Sequence, residues 1–193
     1  MLRRILAWAA ALLVGALLGV ASAWGALSFG ASTLTETYGA WSHSRAAGSQ
    51  AADPYTRAII AREGLLALSA REALYFSLDR DEDGRRLDES CVYELNGLPL
   101  SARWWSVTLY DDDGFLAENR DNAASVDASR IGNDQPWRTR VAPVQGDAAH
   151  WLSSRGARRR FSLMLRVYNP HQNFHPSEET LPVLTTVSCA EGR

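Results

Sequence analysis

Hydrophobic residues form one unbroken run near the start of the chain, residues 5–27, and this run contains no charged side chain. At about 1.5 Å of rise per residue, a helix of this length spans the roughly 30 Å hydrocarbon core of a bilayer. Arg3 and Arg4 precede the run, and positively charged residues favour the cytoplasmic side of a membrane. The pattern therefore predicts a transmembrane helix that leads the rest of the chain out of the cytoplasm.

A cleaved secretory signal is the alternative interpretation of the same run. Ala21-Ser22-Ala23 has the small-x-small form that signal peptidase accepts, and cleavage there would leave Trp24 as the new N-terminus. The apolar core of a signal peptide is usually about 7–15 residues long, so the longer run favours an uncleaved anchor. Gly15 and Gly19 form a small-xxx-small pair that could pack two anchors into a dimer, but such pairs are common in Ala/Gly/Leu-rich spans and a plain anchor is the stronger expectation.

After the anchor, the hydrophobic pattern changes twice. Residues 29–52 are rich in Ala, Ser, Thr and Gly, which predicts a stalk with some packing on the following domain. Asp53-Pro54 supplies a capping side chain and a first-turn proline, and apolar residues then recur every three or four positions, which predicts a helix over residues 53–68. From Ser69 onward the period is two, the period of a β-strand.

Short apolar or alternating segments bounded by turn residues predict a series of strands: 73–78, 91–95, 103–110, 137–141, a segment around 151–152, 161–168 and 183–189. Asn96-Gly97 predicts a turn between strands, and residues 119–134 are polar and predict a loop. In the two strongest strands, alternation places one set of residues on a common face: Trp105, Val107 and Leu109 in the first, and Phe161, Leu163, Leu165 and Val167 in the second.

Many short strands with one clear helix predict a mainly β fold. We expect a jelly-roll-like β-sandwich with one preceding helix and an N-terminal transmembrane helix. The predicted organisation is a membrane anchor over residues 1–28, a stalk or linker over 29–52 and an exported β-sandwich domain over 53–193.

Charge and cysteine content narrow the compartment and the partners. The chain has no lysine, and apart from Arg3 and Arg4 it carries 18 arginines against 22 acidic residues, a balance that argues against nucleic acid as a partner. Cys91 and Cys189 are the only cysteines. In an oxidising compartment such a pair most often forms a disulfide, and two buried free thiols are the alternative. We expect a single-pass protein of the inner (cytoplasmic) membrane, with its folded domain in the periplasm or extracytoplasmic space.

Two blocks of sequence carry a family resemblance. The first is Arg103-Trp104-Trp105-Ser106-Val107-Thr108-Leu109-Tyr110 followed by Asp113-Gly114-Phe115-Leu116, and the second is Trp151-Leu152 followed by Phe161-Ser162-Leu163-Met164-Leu165-Arg166-Val167-Tyr168-Asn169-Pro170. With these blocks the chain resembles the short, membrane-anchored members of the bacterial domain-of-unknown-function family 1214, over about residues 53–189. The resemblance implies a jelly-roll sandwich and an envelope location, and it implies no activity because the family has none assigned. Between the blocks, Asn119 is followed by Arg120-Asp121-Asn122 in place of the family's Asn-x-x-Arg-Tyr-Ser stretch.

Two acidic motifs invite interpretation as cation sites. Asp79-x-Asp81-x-Asp83-Gly84 matches the start of a calcium loop, yet Ser90 stands where that loop needs a glutamate, and Arg85 and Arg86 follow at once. A solvated hairpin turn is therefore the stronger prediction. Asp111-Asp112-Asp113-Gly114 lies between two apolar segments, and turn chemistry explains it.

Histidines and a basic cluster are the remaining polar candidates. His171 and His175 are four residues apart, but prolines on both sides disfavour the helix that would align them as metal ligands. A basic cluster precedes the strand at 161–168 and could meet anionic lipid, although a solvated turn is the more common role; its members are Arg155, Arg158, Arg159 and Arg160.

No motif identifies a nucleophile, a phosphate-binding loop or a dinucleotide site, so we expect no catalytic, cofactor-binding or metal-binding residues. The leading hypothesis is a non-enzymatic, membrane-tethered β-sandwich that acts as a binding or structural module through contact with an envelope protein partner. The alternative is an envelope hydrolase that uses paired carboxylates, with Glu94, Asp111 and Glu118 as candidates. A cleft with two facing carboxyl groups would favour the enzyme.

We expect the full-length protein to stay with membranes through alkaline and high-salt washing, because an uncleaved transmembrane helix is held by the hydrophobic effect and not by charge. Membrane fractionation followed by immunoblotting measures this retention, and protease added to intact cells should leave the C-terminus uncut. A mature protein whose N-terminal sequence begins at Trp24 would contradict the anchor.

Overall fold

The computed structural model describes residues 2–29, 35–44, 57 and 68–190, and these residues are mainly β. The N-terminal helix α1 spans Leu2–Phe29. Its segment Arg3–Gly25 has a mean hydropathy of 2.2, and none of it is buried against the rest of the protein. By length and composition α1 can cross a membrane, and a signal sequence would meet the same criteria. The helix predicted over residues 53–68 lies almost wholly outside the described residues.

The strands follow in chain order and form two sheets. They are β1 (Thr35–Tyr38), β2 (Trp41–Ser44), β3 (Ala73–Leu78), β4 (Cys91–Gly97), β5 (Ala102–Asp111), β6 (Ser125–Asp127), β7 (Trp137–Ala142), β8 (Trp151–Ser153), β9 (Phe161–Pro170) and β10 (Val183–Cys189). A short helix α2, Ala128–Ile131, follows β6. The six-stranded sheet has the order β1-β2-β3-β9-β5-β6, and the four-stranded sheet has the order β10-β4-β7-β8.

The two sheets pack face to face around one hydrophobic core. The inward residues predicted for β5 and β9 are all at most 1% exposed, and two aromatic contacts join the sheets. Trp105 of β5 stacks on Trp137 of β7 with ring centroids 4.5 Å apart, and Tyr93 of β4 meets Phe161 of β9 edge to face at 5.9 Å. The predicted mainly β, two-sheet fold is therefore confirmed, while its jelly-roll connectivity stays a prediction.

Strands β5 and β9 form the centre of the larger sheet. They pair antiparallel from Trp104↔Tyr168 to Asp111↔Phe161, so the two sequence blocks that carry the family resemblance lie side by side. The sequence interpretation differs from the structure at two places. Asn96-Gly97 ends β4 and is not a separate turn. The predicted loop at 119–134 contains β6 and α2, which are short and only partly buried.

Part of the segment predicted as a stalk is a β-hairpin at the edge of the six-stranded sheet. Strands β1 and β2 pair with each other, and β2 pairs with β3 through Ser42↔Ser77 and His43↔Phe76. Trp41 is only 2% exposed, and its indole N–H donates to the carbonyl of Pro182 at 2.6 Å. Residues 35–44 are thus packed into the sandwich, a placement that the sequence hides because Trp41 is the only large apolar residue in β2.

A disulfide joins Cys91 of β4 to Cys189 of β10, which are register partners in the four-stranded sheet. The cysteines are 98 residues apart in sequence, and for a loop of about 100 residues the chain-entropy model gives a stabilisation of about 4.7 kcal/mol. Strand β10 is also an edge strand with a bulge near Val187, and the Glu82 carboxylate accepts the backbone N–H of Thr186 at 2.8 Å. A bulge and a charged neighbour both protect an edge strand from pairing with another chain.

We expect Gly97→Ala to lower the free energy of unfolding by about 1–3 kcal/mol, the usual effect of overpacking a core. A Cβ at Gly97 would overlap the Cε2 and Cζ2 atoms of Trp137, and that ring cannot retreat because it stacks on Trp105. Denaturant unfolding followed by tryptophan fluorescence measures the change. Gly19→Ala is the matched control, since nothing lies within 4 Å of the added Cβ, and equal stability of the two variants would contradict this packing.

Candidate functional site

A groove lies on the outer face of the four-stranded sheet. Side chains alternate across a strand, so the burial of Tyr93, Leu95, Thr139 and Val141 in the core turns the residues between them outward on β4 and β7. The groove has a volume of about 720 Å³, and its lining also includes residues within 131–136 and 147–150, before and after β7, and Val187 of β10. Small-molecule sites commonly have volumes of roughly 300–1,000 Å³, so its size suits a ligand.

The floor of the groove is a network of polar side chains that hold one another in place. The Glu94 carboxylate lies 3.3 Å from Nε of Arg138, and Asn96 donates to that carboxylate at 3.1 Å while its own Oδ1 accepts from Arg138 at 3.2 Å. Arg140 donates from Nε to the carbonyl of Val144 at 3.2 Å. Hydrogen-bond donors and acceptors are therefore presented side by side in fixed directions.

A second depression of about 440 Å³ adjoins the groove and shares Pro136, Trp137 and Arg138 with it. Its lining is more apolar and includes Leu98, Leu181 and Val183, with Glu178 and Glu179 also present. A third depression of about 230 Å³ meets the groove at Ala149 and His150. The three depressions together make an elongated surface that is polar in the middle and apolar at one end.

Trp137 separates the groove from the apolar depression and belongs also to the core. It is 6% exposed and lies between Trp105, on which it stacks, and Gly97, whose missing side chain admits the indole. Its Nε1–H is buried and has no acceptor among the residues that the structure describes. The nitrogen is enclosed and Gly97 lies against it, so it belongs to the core and not to the surface of either depression.

The candidate carboxylates of the hydrolase hypothesis lie in three different settings. Glu94 is in the groove beside Arg138. Asp111 is buried, and its carboxylate accepts the backbone N–H groups of Asp113 and Phe115 at 3.1 and 2.8 Å. Glu118 is exposed beyond that turn. The structure therefore does not bring these three acids together as a pair of facing carboxyl groups.

Both acidic motifs form the same kind of hairpin turn, as the sequence predicts. The Asp81 carboxylate accepts the N–H groups of Asp83 and Arg85 at 3.0 and 2.8 Å, which matches the hydrogen bonds of Asp111. The glycines that follow, Gly84 and Gly114, have φ of 78° and 83°, a conformation that favours glycine. No group of three or more His, Cys, Asp or Glu side chains that could hold a metal occurs within the described ranges.

Three arginines of the predicted basic cluster are paired with carboxylates, one of which, Asp113, belongs to an acidic turn. The pairs are Arg155–Asp121 at 3.4 Å, Arg158–Asp113 at 3.1 Å and Arg159–Asp88 at 3.4 Å. Arg86 bridges Asp79 and Asp112 at 2.9 and 3.0 Å, and so links the two acidic turns. Exposed ion pairs contribute little individually, but here they hold three loops together at one end of the sandwich.

The histidines considered from the sequence, and the outward-facing Trp104, are separate from the groove. His171 lies 3.4 Å from the hydroxyl of Ser101, which itself donates to Asn173 at 2.6 Å. His175 contributes its backbone carbonyl to a hydrogen bond from Thr180. Trp104 points away from the core, contacts Tyr168 with ring centroids 5.3 Å apart and donates to Ser129, so the large sheet covers it partly with its own side chains.

The comparisons with known proteins bear on the family and the fold. The family model described as "Protein of unknown function (DUF1214)" matches residues 72–172, more than half of the chain. The chain belongs to the DUF1214 family. The solved structure of the VPA0106 protein from Vibrio parahaemolyticus is similar with a TM-score of 0.58 and 23% identity, over 72% of this chain and 36% of that chain. The DUF1214 protein therefore spans little more than a third of that relative's length.

A second solved structure, of an uncharacterised protein from Burkholderia cenocepacia, has a TM-score of 0.42 and 16% identity over 59% of this chain and 30% of that chain. No curated protein matches the chain. The DUF1214 match contains the seven strands β3 to β9, and thus most of the groove floor.

The sequence analysis does not identify Trp137, Arg138 and Arg140 as site residues. A clue to them is the alternating order Trp137-Arg138-Thr139-Arg140-Val141, which predicts a strand with arginine at both outward positions. What the sequence lacks is the pairing of β7 with β4, which places Glu94 opposite Arg140 and Asn96 opposite Arg138. The site depends on contacts between residues more than 40 positions apart.

We expect Asp88→Asn to destabilise the domain at neutral pH and to have less effect in acid. Burial disfavours the charged form of Asp88, but hydrogen bonds from the backbone and hydroxyl of Ser90, together with Arg159, hold its pKa below the usual value. Because the unfolded pKa is about 4, the carboxylate stabilises the fold above that pH and loses this contribution as pH falls through the lower folded pKa.

Denaturant unfolding of wild type and Asp88→Asn from pH 7 down to about pH 2 measures this convergence. Asp134→Asn, in the exposed loop before β7, is the control and should change stability little at any pH. A difference between wild type and Asp88→Asn that is independent of pH would contradict the role of the carboxylate charge.

Proposed function

We propose that this DUF1214 protein is a membrane-tethered binding module of the cell envelope and that the groove over the four-stranded sheet is its binding surface. The groove carries the proposal. Glu94 and Arg138 line a depression of about 720 Å³ and are hydrogen-bonded to Asn96 at the edge of the adjoining depression, and binding sites typically combine a concave shape with a few oriented polar groups.

The N-terminal helix and the disulfide support the envelope location. Helix α1 is apolar from Ile5 to Gly25, and Arg3 and Arg4 at its start favour a cytoplasmic N-terminus. The Cys91–Cys189 bond is typical of proteins that fold in an oxidising compartment. Both features favour a single-pass protein of the inner membrane, with the sandwich in the periplasm or another extracytoplasmic space.

Chain length limits how far the sandwich extends from the membrane. Helix α1 ends at Phe29 and the edge strand β1 begins at Thr35. At about 3.3–3.6 Å per extended residue, this connection is no longer than about 20 Å. The hairpin of β1 and β2 is part of the sandwich, so the ligand of the module is an envelope component within reach of the membrane surface.

We expect full-length protein in lipid nanodiscs to co-sediment with lipid-depleted envelope fragments, and Arg138→Ala/Arg140→Ala to weaken this binding about tenfold or more. Each hydrogen bond to a charged group contributes about 1.5–3 kcal/mol, and one factor of ten corresponds to about 1.4 kcal/mol. Quantitative sedimentation with a range of fragment concentrations measures the affinity.

The matched control is Arg103→Ala/Arg120→Ala, which removes two exposed arginines outside the groove. This variant should bind as the wild type does. Thermal melts confirm that both double variants are folded. Wild-type affinity in the folded groove variant would show that binding, if it occurs, uses another surface.

A further inference from the structure

We propose that the groove binds a neutral oligosaccharide that contains N-acetylated sugars. This inference rests on the proposed function, because it takes the groove as the binding surface and names the chemical class of its ligand. It depends on the charge of the lining, on the arrangement of donors and acceptors on the floor, and on the apolar depression next to the groove.

The charge of the lining disfavours an anionic ligand. Carboxylates outnumber arginines in the groove and the adjoining apolar depression: Glu94, Asp134, Asp147, Glu178 and Glu179 against Arg138 and Arg140. A phosphate-rich or carboxylate-rich polymer would meet an excess of like charge. A neutral ligand avoids this repulsion.

The floor matches hydroxyl groups. Glu94 offers an acceptor directly beside the donors of Arg138, at 3.3 Å, and Arg140 lies on the same face two residues further along β7. A hydroxyl both donates and accepts, so adjacent hydroxyls on a sugar ring can satisfy such a donor–acceptor pair together.

The apolar depression indicates the kind of sugar. Leu98 and Val183 are 52% and 54% exposed, and with Leu181 they line a depression that begins where the polar floor ends, at Arg138. The methyl of an acetamido group on a sugar ring is a small apolar group that such a depression can bury. Burial of one methyl strengthens binding by about fourfold, so N-acetylated sugars should bind better than unmodified ones.

An extended peptide is the competing ligand, and the geometry favours it less. Peptides that add to a sheet pair with the backbone of an exposed edge, whereas this groove lies on the face of the sheet and offers side chains. The nearest edge, β10, carries a bulge and a hydrogen bond from Thr186 to Glu82, both of which oppose strand addition.

Isothermal titration of the full-length protein in nanodiscs tests the ligand class. The probes are chitohexaose, cellohexaose, a hexapeptide of alternating alanine and serine, and inorganic polyphosphate. We expect chitohexaose to bind about fourfold or more tightly than cellohexaose, which has the same length but no acetamido group, and the peptide and polyphosphate not to bind. Peptide or polyphosphate binding with no response to either sugar would overturn the inference.

Two matched variants test the placement of the acetamido group. Leu98→Ser should bind chitohexaose and cellohexaose with nearly equal affinity. The control Leu116→Ser alters a leucine of the same 52% exposure outside the groove and should keep the preference for chitohexaose. Arg140→Ala should weaken both sugars about tenfold. If the folded groove variants bind both sugars as tightly as the wild type does, any sugar site lies elsewhere and the inference is wrong.

The proposed function and this inference fail in different ways. If envelope fragments bind through Arg138 and Arg140 but neither hexasaccharide does, the binding module stands and the oligosaccharide assignment is wrong. If envelope binding is insensitive to the two arginines while chitohexaose binding requires Arg140, the sugar site stands and its role in envelope attachment is wrong.

Discussion

The stacking of Trp105 on Trp137 is the contact on which both the core and the groove depend. It joins β5 of the large sheet to β7 of the small sheet at a centroid distance of 4.5 Å. Because strand residues alternate between faces, fixing Trp137 toward the core also fixes Arg138 and Arg140 toward solvent. The floor of the groove is thus set by the packing beneath it, and the close approach of the indole to Gly97 keeps β4 and β7 in the register that brings Glu94 and Asn96 to the same surface.

The charged residues at the end of the sandwich near the acidic turns hold the loops there in place. Glu89 accepts the backbone N–H of Gly156 at 2.9 Å and that of Arg159 at 3.4 Å, while Arg86 joins the two acidic turns. These contacts satisfy backbone and side-chain groups that a loop cannot pair within a sheet. The acidic turns and the basic cluster, which in the sequence suggest a cation site or a lipid-binding patch, therefore largely pair with each other or with nearby loop groups. The charged side chains of the groove, in contrast, border an open concave surface.

The sequence predicts those parts of the structure that depend on neighbouring residues, and it does not predict which strands pair. The alternation of Phe161, Leu163, Leu165 and Val167 predicts β9 and its buried face correctly, and the Asp-x-Asp-Gly order predicts both turns, because these features depend on neighbouring residues only. The hairpin at residues 35–44 is hidden because its strands are short and mostly polar, with Tyr38 and Trp41 as the only bulky hydrophobic residues of β1 and β2. The groove is hidden for a different reason, since its polar network requires the pairing of β4 with β7, and period-two patterns do not specify which strands pair.

The disulfide connects the compartment of the protein to the shape of the groove. Strand β10 lies at the edge of the small sheet and pairs only with β4 among the described strands, yet it supplies Val187 to the groove and Val183 to the apolar depression. A short edge strand has few hydrogen bonds to hold it, and local opening begins where such contacts are few. The Cys91–Cys189 bond ties the end of β10 to β4 and so limits that opening. Oxidation of the two thiols would therefore stabilise the strand that forms one side of the proposed binding surface, and the groove would be best ordered in an oxidising compartment.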